Sequence, residues 1–213
     1  MKRLLIVAAA ALLAALMATG AWAFTVQVLP DCDCTSDSTF TFKVIVETAA
    51  GETLSDVKVQ GGTSGWTTFL AYGEAGSCTS EGVILPPDGD YAKPRPNKNK
   101  IAKGKNTRVA CFFIPSLGGD DAASQEFKIT VSGDPAAAGE ECPNVNGHWS
   151  ASAINADGEG VEAQAKDMSG TELTKDIQVW NEALQDYETI TVPETNTPEL
   201  TTCDFADFCQ APE

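Results

Sequence analysis

From Phe40 the chain settles into a two-residue rhythm: Phe40, Phe42, Val44 and Val46 are apolar, and Thr41, Lys43, Ile45 and Glu47 fall between them. Such alternation places one set of side chains on one face of a β-strand and predicts a strand with a strongly apolar face. The same rhythm recurs. Phe24, Val26 and Val28 precede Pro30, Leu54, Val57 and Val59 follow a glycine-containing turn, and Phe127, Ile129 and Val131 alternate again. Further strands are expected at Trp66 to Ala71, Val83 to Leu85 and Arg108 to Ile114. Trp149 to Ala156 and Val161 to Ala165 flank Asp157-Gly158, a hairpin-type turn, and Ile177-Val179 and Ile190-Val192 mark two more. No helical period lasts beyond a turn or two, and Glu182 to Asp186 is the best helical candidate. Some eight to ten short strands separated by turn signals predict an all-β fold, a β-sandwich.

The ends of the chain change the picture. Lys2 and Arg3 precede an uncharged apolar run from Leu4 to Met17, and Ala21-Trp22-Ala23 sets small residues where a signal peptidase requires them. The run is shorter than the roughly 20 residues that span a bilayer. Residues 1–23 are therefore expected to be a cleaved signal peptide, and the mature chain to be secreted or periplasmic, with no membrane attachment after cleavage. Residues 24–192 are expected to form the sandwich, with a long loop over 86–106, and residues 193–213 an acidic, cysteine-containing tail. Losing Lys2 and Arg3 takes the formal charge from −16 to −18. A surface so acidic repels nucleic acid and anionic lipid.

All seven cysteines, Cys32, Cys34, Cys78, Cys111, Cys142, Cys203 and Cys209, lie beyond the leader. In an exported protein they read as disulfides, and an odd number leaves at least one outside an intrachain pair. Zinc is a poor alternative: there is no C-x-x-C pair, and His148 is the only histidine.

The central residues resemble a known family. SGWTTFLAYGEAGSC from Ser64, then TRVACFFIPSLGG and QEFKITVSGD, are similar to the bacterial immunoglobulin-like conserved repeat domain, also called domain of unknown function eleven. Gly65-Trp66, Ser77-Cys78, Cys111, Leu117-Gly118 and Phe127 to Val131 occupy the places of its motif, and the resemblance covers roughly residues 38–166. It implies an immunoglobulin-like sandwich on a bacterial surface, a structural module with no catalytic residues to carry over. The chain departs from the family in having a single copy and a longer gap between Cys78 and Cys111. Those two cysteines, 33 positions apart, also suit a disulfide on their own placement, one at a turn and one in a strand. Closing such a loop is worth about 3–4 kcal/mol in the entropy model. Cys203 and Cys209 are close enough in sequence for a local bridge, with Cys32, Cys34 and Cys142 as competitors.

Candidate chemistry is sparse, and no cofactor is implied. His148 stands between Gly147 and Trp149 at the start of a strand, and no nucleophile elbow, H-E-x-x-H motif or phosphate loop is present. The chain is expected not to be an enzyme, although paired carboxylates of a hydrolase are hard to recognise among thirty acidic residues. Asp88, Asp90, Asp120 and Asp121 are weak calcium candidates on turns. Asn155 to Gly160 imitates the start of an EF-hand loop, but Lys166 stands where the closing glutamate belongs. Trp66, Trp149 and Trp180 lie within strands, where core packing is the default.

The sharpest feature is basic. Lys93, Arg95, Lys98, Lys100, Lys103, Lys105 and Arg108 fall in one stretch without an acidic residue. Against so acidic a body they read either as a solvated loop or as a contact arm. An arm of one sign fitting a patch of the other on a neighbouring copy makes head-to-tail assemblies. The expected function is a secreted, non-catalytic structural protein of a bacterial envelope or extracellular matrix, possible partners being the chain itself or an anionic surface polymer. A glycan-binding or adhesion module is the alternative.

Overall fold

The computed structural model describes residues 24–63, 67–73 and 109–210; of residues 63, 67–73 and 109–111 it describes the backbone. The fold is all-β. In chain order the strands are β1 (Phe24–Pro30), β2 (Thr39–Thr48), β3 (Thr53–Thr63), β4 (Thr67–Gly73), β5 (Val109–Gly118) and β6 (Ala123–Gly133). They continue with β7 (Asn146–Ile154), β8 (Gly160–Glu162), β9 (Gln164–Ala165), β10 (Thr174–Asn181) and β11 (Asp186–Pro193), and the chain closes with helix α1 (Thr202–Gln210).

Two sheets carry the core. One has the order β4-β6-β2-β1-β9, the other β5-β3-β7-β8. The alternation read from sequence is what lets them face each other. Val26, Val28, Phe42, Val44, Phe127 and Ile129 of the first sheet are buried with Leu54, Val59, Phe112, Ile114 and Trp149 of the second. Rings meet across the gap: Phe112 stacks on Phe127 at 4.7 Å, and Phe42 sets its edge to Trp149 at 6.0 Å. In β3 the apolar spacing slips from two to three between Leu54 and Val57. The reason is an irregularity in its pairing with β7 between Ser55 and Lys58, where Asp56 adopts φ 50°.

The cysteine-containing C-terminal segment is held to the body by its disulfides and by packing. Residues 194–210 are built into the body. The amide of Thr197 donates to the carbonyl of Trp149 at 2.8 Å, that of Val145 donates to Leu200 at 2.6 Å, and Phe205 of α1 is buried edge-on against Phe40. The helix starts on a reciprocal cap. The Thr201 amide and hydroxyl donate to the Asp204 carboxylate at 2.7 Å, and the Asp204 amide donates to the Thr201 hydroxyl. The best helical candidate, Glu182 to Asp186, is instead the turn leading from β10 into β11, held by the Asn181 side-chain oxygen Oδ1, which accepts from the amides of Ala183 and Leu184.

Candidate functional site

The disulfides re-sort the expected pairs. Cys32 bonds Cys209 and Cys142 bonds Cys203, so the local Cys203–Cys209 bridge is not formed. Helix geometry forbids it: six residues of α1 rise about 9 Å and turn the two cysteines to different sides. Their Cα atoms would lie about 10 Å apart, beyond the roughly 7 Å a disulfide reaches. One face of the helix is tied to the 3-10 turn Cys32–Cys34, the other to the strand-entry segment before β7. Cys34 is disulfide-bonded too. The expected Cys78–Cys111 pairing lies outside the described side chains, although the backbone of Cys111 pairs with Gln60 within β5 and β3.

Two places on the described surface have the geometry of a site. The first is a cleft of about 640 Å³ at one end of the body, between the turn Cys32–Cys34, the turn Pro135–Ala138 and α1. Phe40 and Phe205 line it, Asp37, Glu140 and Glu141 give it an acidic rim, and its cysteines are held in disulfides. Beside it the residues after β1 fold over the outer face of β2 and β6. There Lys128 meets Asp31 at 2.6 Å, with both side chains nearly inaccessible, and its ammonium also reaches the Cys34 sulfur at 3.6 Å. Thr41 and Thr130 share a hydrogen bond at 3.0 Å in the same layer. This is a buried polar brace, unseen in the sequence because Lys128 sits at an outward position of its strand.

The second is the β10–β11 hairpin. It forms its own two-stranded sheet, apart from the other two. Its root is well tied. The amides of Leu173 and Glu194 donate to Ala165 and Leu173, and Glu194 accepts from Lys175 and from the amides of Thr195 and Asn196. Partial burial of Glu194 works to raise its pKa, but these hydrogen bonds and the Lys175 charge overcome it and hold the carboxyl below its ordinary value. Beyond the root the strands stand in solvent, and Ile177, Val179, Trp180, Leu184 and Tyr187 are all exposed. Alternation sorts them: Ile177, Val179 and Ile190 share one face, and Trp180 and Tyr187 the other, edge to face at 5.2 Å. Trp149 fills the core as expected; Trp180, expected there too, is 46 % exposed, because no third layer covers the hairpin among the described residues. Trp66 lies outside them.

The other sequence candidates fall as follows. Lys93, Arg95, Lys98, Lys100, Lys103, Lys105 and Arg108, with Asp88 and Asp90, lie outside the described residues. Among the described residues, the strands that flank this stretch, β4 and β5, are edge strands of the two sheets. Asp120 and Asp121 sit exposed on the β5–β6 turn. The Asn155 turn is a hairpin turn, its side-chain carbonyl accepting the amides of Asp157 and Glu159. His148 donates from Nδ1 to the Thr197 carbonyl at 2.7 Å and faces Glu199 at 3.8 Å, mostly exposed at the rim of β7. Among the described residues no helix is long and apolar enough to cross a membrane, and no cluster has the make-up of a metal site.

No protein-family model matches the chain, and no curated protein matches it. Among solved structures it is similar to a GH20 exo-β-N-acetylglucosaminidase from Vibrio harveyi in complex with N-acetylglucosamine, at 9 % identity and a TM-score of 0.35. An inactive mutant of that enzyme matches at 8 % identity and a TM-score of 0.36. Each match covers 73 % of this chain and 20 % of the other, so the chain spans a fifth of those structures. Likeness this slight carries no argument about its activity.

Proposed function

We propose that this chain is a secreted, non-catalytic structural protein of a bacterial envelope or extracellular matrix, an immunoglobulin-like sandwich that self-assembles. The observation that carries this reading is the β10–β11 hairpin, which holds large apolar side chains in solvent on an element that stands off the body. Exposed apolar groups gathered on one projection mark a contact element. Two long-range disulfides brace the body that carries it and suit an oxidising compartment. The basic stretch from Lys93 to Arg108 supplies a second contact, against the acidic body of a neighbouring copy.

The test is sedimentation and negative-stain microscopy of the mature protein across a salt series. Assembly through the basic stretch weakens as salt rises, because the Debye length falls from about 10 Å at 0.1 M to about 3 Å at 1 M. Replacing Lys98, Lys100, Lys103 and Lys105 by Gln removes that assembly and leaves the fold intact. A monomer under every condition overturns the reading. A second reading has one observation in its favour: the exposed Trp180–Tyr187 pair offers aromatic surface to a glycan. Retention on immobilised glycan that is lost in Trp180→Ala would support it.

A further inference from the structure

We propose that the outer edge of β10 is a homodimer interface, on which β10 pairs antiparallel with β10 of a second copy about a two-fold axis at Gln178. The inference names the contact surface of the self-assembly reading and rests on it.

β10 and β11 hydrogen-bond to each other over eight residue pairs, Thr174↔Pro193 to Asn181↔Asp186, and to no other strand among the described residues. A lone two-stranded hairpin is marginal in water, and its unpaired edges are templates for a further strand. The two edges are not equivalent. β11 carries Asp186 and Glu188 and ends at Pro193, which has no amide to donate. β10 carries Lys175 and Asp176, which cancel, and contains no proline. In a chain of formal charge −16 it is the edge that an identical molecule approaches with least repulsion.

The occupant follows from what β10 would place opposite itself. A strand accepted there needs apolar groups facing Ile177 and Val179, and no like charge facing Lys175 or Asp176. β10 run antiparallel about Gln178 meets both demands. Ile177 faces Val179 of the other copy and Val179 faces its Ile177, while Lys175 faces Asn181 and Asp176 faces Trp180. The product is a four-stranded sheet ordered β11-β10-β10-β11, with Ile190 extending the apolar strip on each side. Such a contact is self-complementary and closes at two copies, unlike the head-to-tail contact of a basic arm. An eight-residue edge is only about 26 Å long, a short contact. The dimer should therefore form at high protein concentration, and salt should favour it by screening the repulsion between two acidic bodies.

The experiment is sedimentation equilibrium of the mature protein at about 0.05 M and about 0.5 M salt, beside the double variant Ile177→Lys, Val179→Lys. The expected result is a non-covalent dimer of the wild type whose association constant rises roughly tenfold or more with salt. The variant, altered only at exposed positions, should lose the salt-favoured dimer with an unchanged melting curve. Amide exchange supplies a second measurement: β10 amides directed away from β11 slow as protein concentration rises, and the outward amides of β11 do not. A wild type that stays monomeric at high salt and high concentration overturns the proposal. So does a high-salt dimer that survives in the double variant, or protection confined to β11. Association that falls with salt and is lost in the lysine-to-glutamine variant, but kept in the β10 variant, upholds self-assembly while overturning this interface.

Discussion

At Gly61 the backbone of β3 runs against the face of Trp149, and a Cβ added there would lie 2.2 Å from the ring. The indole is fully buried between Phe42 and Phe112 and has nowhere to retreat. Gly61→Ala should therefore destabilise the fold by about 1–3 kcal/mol, as overpacked cores do, in urea unfolding followed by tryptophan fluorescence. Gly147→Ala, whose Cβ would sit 3.6 Å from Gly62, should change far less. Lys128 is the other sensitive residue. Lys128→Met leaves the Asp31 carboxylate buried without its cation and should cost about 3–5 kcal/mol. Lys43→Met, which breaks a half-exposed pair with Glu126, should cost about 0–1 kcal/mol. Chemical denaturation of the two variants side by side checks the contrast.

At the scale of elements, the connections around the hairpin depend on carboxylates. A hydrogen bond from the Ser169 hydroxyl, with the amides of Thr171 and Ser169, holds the pKa of Asp167 below its ordinary value; Glu194 is lowered likewise at the other end of the root. Both are depressed in the folded state, so the stability they contribute is fully present above the unfolded carboxylate values. It is lost as pH falls through the folded ones. The expected outcome is loosening of the hairpin root in acid. The amide resonances of Ser169 and Thr171 should follow Asp167 and those of Thr195 and Asn196 should follow Glu194, with midpoints below those of ordinary Asp and Glu side chains. Titration by NMR would show it, and midpoints at or above the ordinary values would refute it. Helix α1 illustrates a different dependence. Its cap, Thr201 to Asp204, is a legible start signal, but a nine-residue helix with one fully buried phenylalanine is held chiefly by its cross-links.

For the whole molecule, the disulfides join parts that are far apart in sequence. Cys32–Cys209 spans 177 positions and Cys142–Cys203 spans 61. In the entropy model these closures are worth about 5 and about 4 kcal/mol. Peptide mapping under non-reducing conditions should recover both pairs, and a Cys203–Cys209 peptide would contradict the fold. Replacing Cys142 and Cys203 together by Ala should lower the midpoint of thermal unfolding substantially. α1 would remain tethered through Cys209, so the loss should be smaller than on reducing every bridge.

The sequence by itself determined the all-β class, most strand positions and the core faces, because period-two alternation is a local property that burial on one face imposes. Phe40 to Val46 and Phe127 to Val131 lie buried where their pattern places them. It determined equally that cysteines would be oxidised, and that Asn155 to Gly160 would turn a hairpin. Only tertiary structure decided which cysteines meet, since partners 177 positions apart leave no local trace. It decided that residues 194–210 close the body, through single contacts such as Phe205 on Phe40. Lys128 reads as a solvated strand residue until Asp31 is folded over it. Ile177, Val179 and Trp180 carry the same alternating signal as buried strands, yet they stand in solvent. A strand's pattern records which side chains share a face; whether another layer covers that face depends on where the rest of the chain packs.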